Sequence, residues 1–404
     1  MGLRGRRLRG DVRAHPRGGR TPRGAARRAR RMTLAWLVVA LALAWVAFAY
    51  AGYPALIALL ARLAPRPLRE GEVAPSLSVV IAVHDGAHAL KRKLEQTLAL
   101  AYPKPVQVIV ASDGSTDATD EIARGFAPRV ELVRNAVRAG KEAAQGAALA
   151  RATGDVVVFT DVTAELAPDA LGEIVRPFAD PSVGCVSSED RVETEGGEGA
   201  YVRLEMALRR FETRASSLVG LSGSCFAARR DLCAPVWPSD LASDFRVALE
   251  AARRGLRAVS APRATACFRA TDDAAAEWRR KVRTVRRGLA VLAAYRELLH
   301  PRHGRVALSL WGHKVARFTT PFALLALLAA SAALAPASGL GAGLLAAQLL
   351  AYGVAAAALA LPAVGARRLP RLAGFFLLVN ASMLVAWGYH LTGRRAVTWD
   401  PTRR

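Results

Sequence analysis

The chain has 404 residues, 52% of them hydrophobic, and a formal net charge of +24. That length leaves room for more than one structural unit, and the apolar excess points to segments lying in a bilayer. The charge does not read as a nucleic-acid footprint: residues 1–31 hold twelve Arg against one Asp, much of the remaining excess flanks apolar runs, and no reader motif accompanies it.

Residues 1–31 read as a basic, disordered tail, and Met32, followed by TLAWLVV, reads as an alternative start that would make this tail an upstream extension. Residues 33–51 form an uncharged apolar run of nineteen, continued to residue 60. As a helix, such a run crosses roughly 30 Å of hydrocarbon, so 32–63 is a predicted transmembrane helix.

From 76 to 270 the pattern is that of an α/β domain. Strands are predicted at 77–83, 106–111, 130–134 and 155–160, and helices at 91–100, 117–126 and 141–152. This alternation favours a Rossmann-like, mostly parallel sheet with helices on both faces. Ligands of such sheets bind outside the carboxyl ends of the strands. Three strands are followed there by an acidic residue: Asp85, Asp113 and Asp161. A rim of carboxylates suits Mg²⁺ or Mn²⁺ holding a diphosphate, because both cations take hard oxygen ligands. In VIVASDGSTDATDEIAR, Gly114 supplies a turn, and Asp117 and Asp120 serve a helix start, which leaves Asp113 for another task.

Gly140-Lys141 lacks the earlier glycine of a phosphate loop, and the glycines at 196–199 read as a flexible loop. Cys185, Cys225, Cys233 and Cys267 form no Cys-x-x-Cys pair, so reduced thiols are expected rather than zinc ligands. In the segment 274–300, Trp278, Val282, Val285, Leu289 and Leu292 recur at helical spacing among Arg and Lys, the pattern of an amphipathic helix on an anionic membrane surface. Three further spans are predicted within 316–391, at 318–334, 340–361 and 372–391, followed by a tail at 392–404.

Several of these segments resemble the membrane-bound family 2 glycosyltransferases with a GT-A fold, over residues 78–313. SVVIAVHDG is similar to the family's opening strand and nucleotide loop, VIVASDGSTDAT to its Asp-Gly-Ser-Thr-Asp segment, and AGKEAAQGAALARATGDVVVFTD to the Gly-Lys, helix, strand and Asp that follow. The resemblance implies a cytosolic GT-A domain between an N-terminal and a C-terminal transmembrane region. It implies nucleotide-sugar contacts at Val83, Asp85, Asp113, Lys141 and Asp161, with the donor a UDP-sugar. Metal ligands would be Asp161 and Thr163, the latter standing where the family has a second Asp. VGLSGSCFAARRDL resembles the acceptor-side turn, implicating Gly223, with Glu189 and Asp190 as further acceptor-side residues. Asp244, at a helix start, would be the base that deprotonates the acceptor hydroxyl. Arg280 and Arg283 lie near the Arg of the family's Gln-x-x-Arg-Trp and would hold the departing diphosphate. Thr284 stands where that Trp would be, which favours single additions over processive synthesis.

The reaction so implied is inverting transfer from a nucleotide sugar to a polysaccharide or lipid-linked glycan, without a covalent enzyme intermediate. Membrane lipids are expected partners, as are export or polymerisation proteins; nucleic acid is not. Two alternatives follow from the same residues: sugar transfer to a polyprenyl phosphate, and nucleotide-sugar binding with impaired catalysis, the latter motivated by Thr163 and the altered Arg motif. A bacterial inner or plasma membrane with a cytosolic catalytic domain is expected. Four spans then leave both termini outside, against the pull of the twelve N-terminal arginines.

Overall fold

A computed structural model describes residues 22–192, 197–233, 237–268 and 274–393. Its centre is an eight-stranded sheet of β1 (Leu77–Val83), β2 (Val106–Ser112), β3 (Val130–Arg134), β4 (Val156–Asp161), β5 (Glu165–Leu166), β6 (Val183–Val192), β7 (Cys225–Arg229) and β8 (Arg257–Phe268). Their order is β3-β2-β1-β4-β7-β6-β8-β5. The first four strands are parallel, as the alternation predicts. The second half is mixed: β7 runs antiparallel to both β4 and β6, β6 is parallel to β8, and β5 is antiparallel to β8.

Every residue of β1 is buried, because helices cover both faces of the sheet. Val79, Ile81 and Val83 join one core with Leu90 and Leu94 of the helix Ala87–Leu98. Val80 faces the other way, toward Ala144 and Ala148 of the helix Lys141–Leu149 and Val247 of the helix Ser243–Arg253. These helices begin within a few residues of the predicted ones.

Among the described residues, four helices are long and apolar enough to cross a membrane: 26–63, 305–334, Gly339–Ala360 and Arg368–Leu391. The first continues a helix that begins at Pro22, so residues 22–31 of the predicted disordered tail are helical. Arg and Ala are strong helix formers, Pro suits a first helical position, and the apolar run ahead supplies a nucleus. Residues 1–21 and 394–404 lie outside the described residues. Gly197 and Gly199 open the helix Gly197–Ala215 instead of lying in a loop, while 193–196 are not described.

The amphipathic segment is the helix Ala274–Ala294. Its apolar stripe is covered by protein: Val285 and Leu289 pack with Met383 and Ala386 of Arg368–Leu391, and Val291 packs with Phe245 and Leu249. Periodicity reports that a stripe is buried, and here the partner is another helix rather than a lipid surface. The cysteines are free thiols, three of them buried.

Candidate functional site

The strand order puts β2, β1 and β4 side by side, with Val83 opposite Ser112 and Ala82 opposite Asp161. The carboxyl ends of these strands, with the acidic residues that follow, thus share one edge. On the other side of β4, antiparallel β7 starts at this edge, so Gly223 and Ser224 arrive beside Asp161; the Ser224 carbonyl accepts the Asp161 N–H at 3.1 Å. β6, running against β7, delivers Asp190 to the same edge. The helix Ser243–Arg253 begins there as well, with Asp244 in its first turn.

A cavity of about 400 Å³ opens at this edge and is lined by Lys141, Asp161, Thr163, Asp190, Gly223 and Asp244 on the sheet side and by Arg280 and Arg283 opposite. Lys141 donates to Asp161 Oδ1 at 2.5 Å. Burial opposes the ammonium charge, but Asp161 outweighs it and holds the Lys141 pKa above its ordinary value. Asp244 Oδ1 accepts the Phe245 N–H at 2.9 Å, so part of its role is to satisfy a free donor of the helix start. Its Oδ2 faces Gly223, 3.5 Å from where a Cβ on that glycine would sit. That is ordinary van der Waals distance, so a methyl would fit at Gly223. Asp190 accepts from Ser222 Oγ at 2.6 Å, and burial pushes its pKa up to about 6.

Asp85, Asp113 and Val83 stand on the same rim but outside this cavity. Asp85 adopts the left-handed backbone region, φ 47°, which Asp tolerates better than most residues. Its Oδ1 accepts the Thr116 N–H at 2.7 Å, and that bond is the main reason its pKa lies below the usual range. Asp113 is fully buried. Its carboxylate accepts from Ala139 N at 2.8 Å, Gly140 N at 2.7 Å and Asn135 Nδ2 at 3.1 Å, so it ties down the loop ahead of Lys141. Gly114, at φ +63°, lies against this loop: a Cβ there would sit 2.7 Å from Arg138 N. Asp117 accepts from Ala87 N and Thr119 N, serving two helix starts, and Asp120 pairs with Arg134.

Two expected contacts are not available as side chains. Val83 lies in the sheet core, and its carbonyl accepts the Asp113 N–H at 2.9 Å. Glu189 is buried and paired with Arg210 at 2.7 Å, and it does not line the cavity. Neighbours on a strand point to opposite faces, so only one of Glu189 and Asp190 can reach the cavity. Arg280 reaches the cavity while held in a two-pronged pair with Glu277, 2.7 and 2.9 Å.

Other cavity residues lie outside the predicted set. Glu142, behind Lys141, pairs with Arg287 of the Ala274–Ala294 helix and accepts the Ser243 N–H at 3.3 Å, which joins three elements under the site. Lys314, in an apolar segment, also lines the cavity; a basic residue inside a candidate span was the cue that could have found it.

Among the described residues, no three His, Cys, Asp or Glu side chains are grouped as a metal site. The donor set at Asp161 and Thr163 is one carboxylate and one hydroxyl. Mg²⁺-like ions are commonly held by one or two carboxylates together with substrate phosphates, so this set fits a cation that arrives with a diphosphate.

The Glycosyl transferase family 2 profile matches residues 78–237. Among curated proteins, the chain is 30% identical over 124 residues to an N-acetylglucosaminyltransferase of Bradyrhizobium elkanii, covering 30% of this chain and 68% of that protein. It is 30% identical over 147 residues to an N-acetylglucosaminyltransferase of Rhizobium sp. (strain N33), covering 35% of this chain and 33% of that one. It is 27% identical over 210 residues to a beta-monoglucosyldiacylglycerol synthase of Synechocystis, covering 46% of this chain and 44% of that protein. The chain thus spans less than half the length of these last two. Among solved structures it is similar to the mannosyltransferase PcManGT of Pyrobaculum calidifontis, solved with GDP-Man and Mn²⁺: TM-score 0.69 and 25% identity over 88% of this chain and 99% of that one. The described sheet and the helices that cover it form a GT-A fold that matches that protein.

Proposed function

Because the chain belongs to glycosyltransferase family 2, we propose that it moves a sugar, with inversion, from a nucleotide-sugar donor to a polysaccharide or lipid-linked glycan at a membrane. The observation that carries this reading is Asp244: it shares one cavity with Asp161, Lys141 and the arginines, and while Oδ1 accepts the Phe245 N–H its Oδ2 lies beside Gly223. A carboxylate so held accepts the proton of an acceptor hydroxyl as that oxygen attacks the anomeric carbon. The proton ends on Asp244, the sugar–phosphate bond breaks, and the nucleoside diphosphate leaves.

Arg280 and Arg283 face the leaving group from the opposite wall, and paired N–H groups stabilise its developing charge. Lys141 supplies a further cation beside Asp161. Bound at Asp161 and Thr163 with the donor, Mn²⁺ or Mg²⁺ would neutralise part of the diphosphate charge. Asp113 and Asp85 contribute by holding the loops that border the nucleotide end. The catalytic domain lies on the cytosolic face of the membrane in this reading, with the four candidate spans as its anchor.

The test is a donor panel containing UDP-glucose, UDP-N-acetylglucosamine and GDP-mannose, given to the detergent-purified full chain with lipid and glycan extracts, with Mn²⁺ or EDTA. Release of nucleoside diphosphate matched by a hexose-type mass gain in one extract is expected. No release from any donor with Mn²⁺ present would leave a binding protein without turnover.

A further inference from the structure

The cavity does not end at the sheet. Phe318, from the helix Ala316–Leu334, and Val379 and Met383, from Arg368–Leu391, form its far wall. Both helices belong to candidate membrane spans, so the site reaches from the strand edge into apolar, membrane-facing structure.

A lysine stands at that end. Lys314 lies in the π-helical turn Leu310–Val315, and its ammonium sits 5.2 Å from the centre of the Phe245 ring, next in sequence to Asp244. Glu205 gives one oxygen to His313 Nε2 at 2.7 Å and the other to Arg317 at 2.8 Å. Glu212 is engaged by Tyr53 and by His313 Nδ1 at 2.7 Å. Both oxygens of Glu205 are therefore taken, whereas Glu212 serves both of its partners through Oε1 and leaves Oε2 without one. Among the described residues, the Lys314 ammonium has no hydrogen-bond acceptor and no carboxylate within ion-pair distance. An ammonium carries three donors and no acceptor, and one inside an apolar segment without an anion is unfavourable. Gly220 leaves the space beside it open, since a Cβ there would lie 3.1 Å from Nζ.

The donor side already has its own cations, Lys141 and the two arginines. Lys314 instead sits against Gly220 of the acceptor-side turn and over Phe245, next to Asp244, so it belongs to the acceptor end. We propose that Lys314, with the wall of Phe318 and Met383, is the docking subsite for a phosphate-bearing membrane lipid that carries the acceptor. The phosphate pairs with Lys314, and the hydrocarbon chain follows the apolar wall toward the bilayer. The part beyond the phosphate then reaches Asp244, one residue from the ring under the ammonium. This rests on the transferase reading and narrows its acceptor to the anionic, lipid-linked class.

Farnesyl phosphate is the probe, measured by calorimetry on the full chain in maltoside micelles. The expected result is binding that weakens about tenfold or more in Lys314→Met and returns in Lys314→Arg. Farnesol should bind weakly and alike in both forms, and inorganic phosphate weakly. Met383→Trp, which fills the apolar wall, should weaken farnesyl phosphate and farnesol together. Equal farnesyl phosphate affinity in the unchanged chain and Lys314→Met would overturn the proposal. So would inorganic phosphate binding as tightly as the lipid, which would make this a free-phosphate site. Donor turnover on the panel above separates the failures: turnover without any effect of Lys314 sinks this subsite alone, whereas absent turnover sinks the transferase reading.

Discussion

Two groups of carboxylates share one edge of the sheet and have opposite fates. Asp85 and Asp113, after β1 and β2, have carboxylates committed to backbone and side-chain donors of adjoining loops. Asp161, Asp190 and Asp244, beyond β4, line an open cavity. The difference shows that a strand-end Asp is defined by what the next loops offer it: where the chain folds back with free N–H groups, the carboxylate becomes scaffold. Where an antiparallel strand and a helix start arrive instead, it remains accessible to a ligand.

The widest gap between the groups should appear at Asp244. Asp244→Asn keeps an oxygen for the Phe245 N–H but cannot take a proton, so transfer should fall on the order of 10²–10⁴-fold with little change in thermal midpoint. A variant that loses stability instead would place Asp244 with the scaffold. Next in size is Asp161: Asp161→Asn, or EDTA on the unchanged chain, should slow transfer by about 10²-fold, and Mn²⁺ should restore only the unchanged chain. Insensitivity to EDTA would leave Lys141 as the cation that serves the diphosphate.

For the scaffold group the expectation reverses. Asp113→Ala orphans two backbone N–H groups and an amide, which should cost roughly 3 kcal/mol of stability in denaturant unfolding, at about 1 kcal/mol or more each. A fully stable Asp113→Ala with lost nucleotide affinity would move this residue across the divide. The last test concerns Asp190. Its folded pKa of about 6 lies above its ordinary 3.8, so the folded state holds the extra proton between those values. The stability from that proton is full below about pH 4 and lost as pH rises through 6. Asp190→Asn should therefore raise the thermal midpoint more at pH 7.5 than at pH 4. An equal shift at both would show that Asp190 is not protonated in that window.

By itself the sequence determined the alternation that builds β1 to β4, the turn at Gly114 and the apolar runs of the spans. These are local: period, turn chemistry and continuous hydrophobicity are each written within about twenty residues. Asp161 and Asp244 were legible as candidates through short motifs, and so was the basic helix. Which carboxylates stay open was decided only by the tertiary structure, because it depends on donors more than twenty residues away, such as Ala139 and Gly140 for Asp113. The face of Glu189, the protein-covered stripe of the Ala274–Ala294 helix and the Glu142–Arg287 link have the same origin. Each arises where elements distant in sequence meet, and a side chain's free valence is settled by that meeting rather than by its neighbours in the chain. Lys314 is the sharpest instance: among the described residues no carboxylate lies within ion-pair distance of its ammonium, and Glu205 is held by His313 and Arg317, from the same turn and the helix after it.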